Sequence, residues 1–241
     1  HLEGLTRQIL RLYKNGITPV YVFDGAPPKE KDDVIKERYL KKTNYINQTL
    51  DIKNKLDVLK ELEEDNKDDI IKLENDLGKI NKKIISVTSK HVKKSKELFE
   101  LFGVPYIEFN GEAECLCAKL CKDNLVHGCI SEDTDILANG GTTFIRNFNA
   151  SSNNIVEYSL PVLLKSLDIT YLQFIDICIL CGCDYTTKIK GIGPINAYKY
   201  IKKYNNIVTI IDLINNNNDF KKYKIPENFK YNTAKALFLN I

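Results

Sequence analysis

Residues 127–141 read HGCISEDTDILANGG. An apolar, β-prone opening, Gly128 to Ile130, leads into Ser131, Glu132, Asp133, Thr134 and Asp135, after which Ile136 and Leu137 return to apolar character. Three carboxylates in four residues at the end of a buried strand repel one another, and each raises the proton affinity of its neighbours. Such a cluster is tolerable only where positive charge is supplied. Upstream, a helix followed by a buried strand over residues 1–23 suggests α/β layering with a parallel sheet, in which the carboxyl ends of the strands face one crevice.

The same arrangement recurs along the chain. Leu2, Leu5, Ile9 and Leu12 recur at helical spacing, and Gly16 ends that helix. Val20 to Phe23 form a short strand closed by Asp24, Gly25 and two prolines. VPYIEF (104–109) predicts a strand, and GEAECLCAKLCKDN (111–124) a helix opened by Glu112 and Glu114. VHGCIS, TTFIRNF and NNIVEYS predict further strands, whereas LPVLLKSL and TYLQFIDICILCG predict helices. Asp184 follows the last of these, after ILCGC. Any one Asp after a strand is usually a turn former or helix cap, and Glu132 reads as a solvated neighbour. Taken together, Asp24, Glu112, Glu114, Asp133 and Asp135 are expected to converge from distant parts of the chain, with Asp184 beside them.

Acids so placed cannot all ionise without partners. Ligation by oxygen alone, without His or paired Cys, selects Mg²⁺ or Mn²⁺ over Zn²⁺. Two such ions about 4 Å apart serve in-line attack at phosphorus, one activating water and the other steadying the leaving oxygen. Metal ligation is therefore what makes the acids tolerable.

Residues 29–102 contain no Pro and a single Gly, Gly78, and are dense in Lys, Glu, Asp and Asn. Ile70, Leu73, Leu77, Ile80, Ile84 and Val87 step by three and four, which predicts a coiled-coil seam. The first half has a less regular stripe, Ile46, Leu50, Leu56, Leu59 and Leu62, and EEDNKDD (63–69) reads as the turn. Two long antiparallel helices are expected. The competing reading, a disordered charged insertion, lacks regularly spaced aliphatics.

In KIKGIGPINAYKYIKKY (188–204), Gly191, Ile192 and Gly193 make a tight turn, and Pro194 suits the first helical position. The helix that follows offers its free N–H groups to anions, ringed by Lys188, Lys190, Lys199, Lys202 and Lys203. That arrangement suits a DNA phosphate backbone contacted without regard to sequence. Ala197, Tyr198 and Ile201 are expected to face the core.

The totals set bounds. The chain has 241 residues and 43% hydrophobic content, enough for one large domain or a domain with an appendage. No run of 18 apolar residues is present, so no membrane span is expected, and no signal peptide is visible. Net charge is +3, from 35 basic and 32 acidic residues, which alone decides nothing about nucleic acid. Seven Cys without a secreted spacing suggest a reducing, intracellular compartment and buried free thiols. A zinc-stabilised binding protein using Cys115, Cys117 and Cys121 or Cys178, Cys181 and Cys183 is the weaker alternative. The sequence begins at His1 and has no Met, so a preceding segment is expected to be missing.

PVYVFDGAPPKEK, GVPYIEFNGEAE, ISEDTD and LCGCDYTTKIKGIGP resemble, in order and spacing, the motifs of the flap endonuclease family, the XPG-type 5′ nucleases. The resemblance covers nearly the whole chain and is loosest over residues 43–85. It implies a parallel-sheet, PIN-like α/β nuclease core with a long helical arch and a helix–loop–helix DNA-binding element. The boundaries expected are residues 1–28 and 86–185 for the core, 29–85 for the arch, and 186–241 for the helical element and C-terminal segment. The implied activity is Mg²⁺-dependent, structure-specific hydrolysis of DNA at 5′ flaps, nicks or gaps, using two ions that Mn²⁺ can replace. Asp24, Glu112, Glu114, Asp133, Asp135 and Asp184 match the family's metal-binding acids. Lys31 and Arg38, seven and fourteen residues after Asp24, match basic residues that approach the scissile phosphate, and the step of seven places both on one helix face. Gly191 to Gly193 match a loop that holds a duplex phosphate, in relatives through a K⁺ ion.

Family members also carry an N-terminal segment with a further metal-site Asp, and a tail that can bear a sliding-clamp motif, and neither is in this sequence. A sliding clamp is thus an expected partner only through such a tail. A monomer at the site of DNA replication is expected, in the nucleus if the source is eukaryotic. The rival reading is a catalytically silent DNA-junction scaffold of the same fold. Within the enzyme class, a 5′ exonuclease or a four-way-junction resolvase stays open.

Overall fold

A computed structural model describes residues 1–61, 66–148 and 154–239. The chain divides into two compact units, His1–Glu30 with Lys96–Ile241, and Lys31–Ser95.

In the larger unit, helix α1 (Leu2–Lys14) buries Ile9 and Leu12 and ends before Gly16, which takes a positive φ of 70°. Strand β1 (Tyr21–Phe23) pairs in parallel with β2 (Tyr106–Glu108). Helix α5 (Ala113–Lys122) follows, then β3 (Cys129–Ile130), the short helix α6 (Asp135–Ala138), β4 (Thr143–Arg146) and β5 (Val156–Ser159). Strand β3 pairs in parallel with β4, and β5 closes the sheet antiparallel to β4. The expected parallel α/β character is present, but in two sheets, β1–β2 and β3–β4–β5. No ladder joins β1 to β3, and a cavity of about 850 Å³ lies between them, lined by both strands, by α1 and by the start of α5.

Helices α7 (Leu160–Leu167) and α8 (Tyr171–Cys181) come next, the second opened by a capping box between Thr170 and Gln173. Then α9 (Pro194–Tyr204), α10 (Ile207–Asn216) and α11 (Tyr231–Leu239) fold onto α8. Ile175, Ile179, Ile189, Ile201, Ile210 and Phe238, each at most 1% exposed, form one apolar cluster. The C-terminal helices thus share a core with α8, whose end carries Asp184. Asp176, buried within α8, accepts hydrogen bonds from Lys235 of α11 (2.6 Å) and from the first backbone N–H of α10 (3.2 Å). This buried carboxylate ties three helices together and is fully partnered.

In the smaller unit, α2 (Asp32–Glu61) and α3 (Lys67–Ile84) form a helical hairpin. Lys60 pairs with Glu74 (3.0 Å), Lys83 lies over the Tyr45 ring, and Lys42 bonds Ser86, so the two helices run antiparallel. The seam expectation needs two corrections. Val87 lies beyond α3 and is 79% exposed, because the helix ends at Ile84 and the chain is non-helical until α4 (Ser89–Phe102). On α2, Ile46 and Leu50 face outward at 41% and 53% exposure, whereas Thr49 and Leu56 are buried. The inner stripe is Tyr45, Thr49, Ile52, Leu56 and Leu59, a regular four–three repeat hidden by its Tyr and Thr. Leu62 and residues 63–65 of the expected turn lie outside the described residues, and Asp68 and Asp69 already belong to the first turn of α3. Helix α4 crosses the division between the units. Its C-terminal half contributes Phe99 to the larger unit, where Phe99 stacks on Tyr21 at 4.2 Å between centroids.

Candidate active site

Asp24 is the first residue past β1, and Gly25 makes its position possible. A Cβ on Gly25 would collide with the backbone at Phe109–Gly111, and the Gly25 N–H donates to the Gly111 carbonyl at 2.8 Å. This close approach brings Asp24 to the start of α5, where its Oδ1 accepts from the Ala113 N–H at 2.8 Å. A carboxylate at a helix N-terminus meets the positive end of the helix dipole. Glu112 is the N-cap of that helix and Glu114 lies in its first turn.

The second acidic group follows β3. Ser131 Oγ accepts from the Asp133 N–H at 3.0 Å, and Asp133 Oδ1 accepts from the Asp135 N–H at 3.0 Å. The two bonds shape the turn that starts α6 with Asp135. Glu132 points elsewhere, receiving Arg146 and the Asn147 N–H. Asp184 sits after the Gly182 cap of α8.

The electrostatics connect these groups. Burial raises the Glu114 pKa, and the fields of Asp24, Asp133 and Glu112 raise it further. Burial pushes the Cys117 thiol up to about 11, with Glu114 and Asp24 adding to the shift. Burial likewise raises Cys183, which feels both Asp135 and Asp184. Tyr185 joins the two sets. Burial, the hydrogen bond it donates to Glu112 and that carboxylate's field all raise its pKa, as does Asp135, so the phenol stays protonated. Glu114 therefore feels acids from distant stretches of chain, Tyr185 feels Glu112 and Asp135, and Cys183 feels Asp135 and Asp184.

The donor chemistry of these acids is all oxygen and suits a hard divalent cation. Among the described residues, however, no three His, Cys, Asp or Glu side chains are gathered closely enough to hold one ion. Asp24, Glu112 and Asp133 lie within range of the Glu114 carboxylate's field without forming such a cluster.

Lys31 and Arg38 belong to the smaller unit. Lys31 ends a 3₁₀ turn (Lys29–Lys31) that runs directly into α2, and Arg38 lies inside α2. At the glycine loop, Gly191 adopts a φ of 90°, and a Cβ there would stand 3.2 Å from the Tyr223 ring. Ile192 is buried, and Gly193 caps α9 ahead of Pro194. Ala197 and Ile201 are buried, and the half-buried Tyr198 bonds the Leu167 carbonyl. Asn196 donates to the Gly191 carbonyl at 3.2 Å. Lys188, Lys190 and Lys199 are exposed. Lys202 instead holds the carboxylate and carbonyl of Asp168, both at 2.6 Å, at the end of α7, and Lys203 lies over the Tyr204 ring. None of the seven cysteines is in a disulfide; Cys121 and Cys129 are buried and the rest half-buried.

Sequence reasoning did not single out Ser131, Tyr185 or Asp176. The signals were present: a Ser two residues before an Asp can cap its backbone, and a buried Tyr or Asp requires a partner.

The XPG N-terminal domain matches residues 1–45 and the XPG I-region matches residues 103–184. Flap endonuclease 1 of Micromonas commoda is 38% identical over 243 residues, covering 100% of this chain, and the chain spans 58% of that relative's length. The catalytic core of Rad2 in complex with DNA substrate superposes with a TM-score of 0.72 at 27% identity, covering 99% of this chain and 70% of that one. Flap endonuclease-1 from Methanococcus jannaschii gives 0.64 at 27% identity, covering 98% and 66%. Two XPG domains in their expected places, on a core shared with these nucleases, establish that the chain belongs to the XPG-type flap endonuclease family.

Proposed function

We propose that the protein is a structure-specific 5′ nuclease that hydrolyses phosphodiester bonds where single-stranded DNA leaves a duplex, as at a 5′ flap, nick or gap. The observation that supports this reading is the crowding at Glu114, where burial and the fields of Asp24, Asp133 and Glu112 act together, with Tyr185 standing between Glu112 and the field of Asp135. The unit that holds them also holds the lysine-ringed glycine loop. Overlapping negative fields are unfavourable by themselves, and hard divalent cations are the partners that oxygen donors select.

Asp24, Glu112, Glu114, Asp133, Asp135 and Asp184 would hold two Mg²⁺ ions, with Mn²⁺ able to replace them. When bound, such ions polarise phosphate oxygens and make water acidic. The remaining work falls to the chain. Lys31 and Arg38 would balance charge that develops on the phosphate, and the α2–α3 hairpin would clamp the 5′ strand. The backbone of Gly191, Ile192 and Gly193 would seat a duplex phosphate, through a K⁺ ion where carbonyls face it. Gly191 retains a lone pair beyond the one Asn196 uses. Lys188, Lys190 and Lys199 add long-range attraction, whereas Lys202 serves first as the tie to Asp168.

A monomer acting in DNA replication and repair, nuclear in a eukaryote, and recruited by a sliding clamp through a segment outside this chain, completes the reading. Among the described residues no helix is long and apolar enough to cross a membrane. One observation favours a non-cleaving junction binder instead: no three of the described acids are yet gathered at one point.

A single-turnover assay with full-length protein in Mg²⁺ separates the two. A labelled 5′ flap, a nicked duplex and a four-way junction are offered in parallel. Preferential flap cleavage is expected, and Asp133→Ala should slow it by roughly 10²–10³-fold while DNA affinity is kept. Tight binding without cleavage of any substrate would establish the silent binder.

A further inference from the structure

Tyr185 follows Asp184 directly and has no place among the acids and cations assigned above. It is 5% exposed. Its hydroxyl donates to Oε2 of Glu112, 73 residues away in the chain. Its ring meets Phe238 of α11 edge-on, with centroids 5.2 Å apart and planes at 70°. Glu112 occupies the N-cap of α5 with extended backbone, yet its side chain makes no capping bond to its own helix. One oxygen of the carboxylate is thus engaged by the phenol rather than by the helix it begins.

We propose that Tyr185 is a positioning residue: its hydroxyl fixes the orientation of Glu112 for a divalent cation, and its ring transmits the packing of α11 to the acidic crevice. The proposal rests on the divalent-cation reading above. An ionised carboxylate has two oxygens and about four lone-pair sites, so accepting one O–H does not preclude ligation of a cation. A flexible Glu side chain held in this way ligates without first having to be ordered. Groups that orient a metal ligand typically account for ~10–100-fold in metal affinity. A purely structural role, the satisfaction of a buried phenol, would change stability and leave metal affinity unmoved.

Mn²⁺ titration calorimetry on the full-length protein distinguishes these roles, with unfolding midpoints recorded alongside. Tyr185→Phe keeps the ring against Phe238 and removes only the hydroxyl. It should weaken Mn²⁺ binding ~10-fold. In a Glu112→Gln background the same change should have no further effect, since the two residues would act as a unit. Unchanged Mn²⁺ affinity in Tyr185→Phe, or an equal loss in the Glu112→Gln background, overturns the proposal while leaving the metal site standing. A wild-type protein that takes up no Mn²⁺ overturns both.

Discussion

Glu114 is where the crowding of acids is felt most directly. Burial raises its pKa, and Asp24, Asp133 and Glu112 add to the shift. A carboxyl whose folded-state pKa is raised binds protons more readily in the native state, so it lowers stability as pH rises through the window above the ordinary carboxylate value. Glu114→Gln removes that penalty. Its unfolding midpoint in metal-free buffer is expected to exceed that of wild type at neutral pH, and the gain should vanish below the ordinary carboxylate range, where Glu114 is protonated in both states. A variant of lower stability at neutral pH would mean that Glu114 is already matched by a cation of the chain. At this scale the acids were legible because carboxylates recur at the ends of several strands and the starts of the helices that follow, although any one of them alone reads as a turn former or helix cap. Tyr185 was not legible, because a Tyr after the apolar run FIDICILCGC reads as core until the distant Glu112 is seen at its hydroxyl.

Among elements, the α2–α3 hairpin divides the readable from the hidden. The α3 seam stood out because its aliphatics step by three and four. The facing stripe of α2 escaped notice because two of its places hold Tyr45 and Thr49, while Ile46 and Leu50 supply apolar residues on a different face. Apolar character and helix phase were in conflict there, and burial followed the phase. Leu56, 5% exposed, anchors the inner stripe. Leu56→Ala should destabilise the hairpin by about 2–3 kcal/mol. Hydrogen exchange should speed up within residues 32–84 and stay unchanged across α8 and α9, since the hairpin is a compact unit of its own. Acceleration spread evenly over both units would mean that they unfold as one. The glycine loop was easier to anticipate: Gly191 has a positive φ and lies close to Tyr223, and both features favour glycine. That Lys202 caps α7 through Asp168 could not be foreseen, because the pairing joins residues 34 apart in the chain.

For the molecule as a whole, the sequence gives the parts in the wrong order for their use. Asp24 precedes a long insertion, Glu112 and Glu114 follow it, Asp133 and Asp135 come after α5, and Asp184 arrives only after α7 and α8. Layering is what reunites them: the ends of β1 and β3 and the starts of α5 and α6 fall in one neighbourhood. The sequence pattern conveyed this much. It did not convey that the strands divide into two sheets with a cavity between β1 and β3, because strand order is set by pairing that no local pattern encodes. The central claim is that these acids close on a pair of divalent ions. Electron paramagnetic resonance of the Mn²⁺-loaded full-length protein tests it most directly. Two ions about 4 Å apart should give a spin-coupled spectrum that Asp135→Asn converts to a single-ion signal. A wild-type spectrum of isolated Mn²⁺, insensitive to Asp135→Asn, would contradict the account.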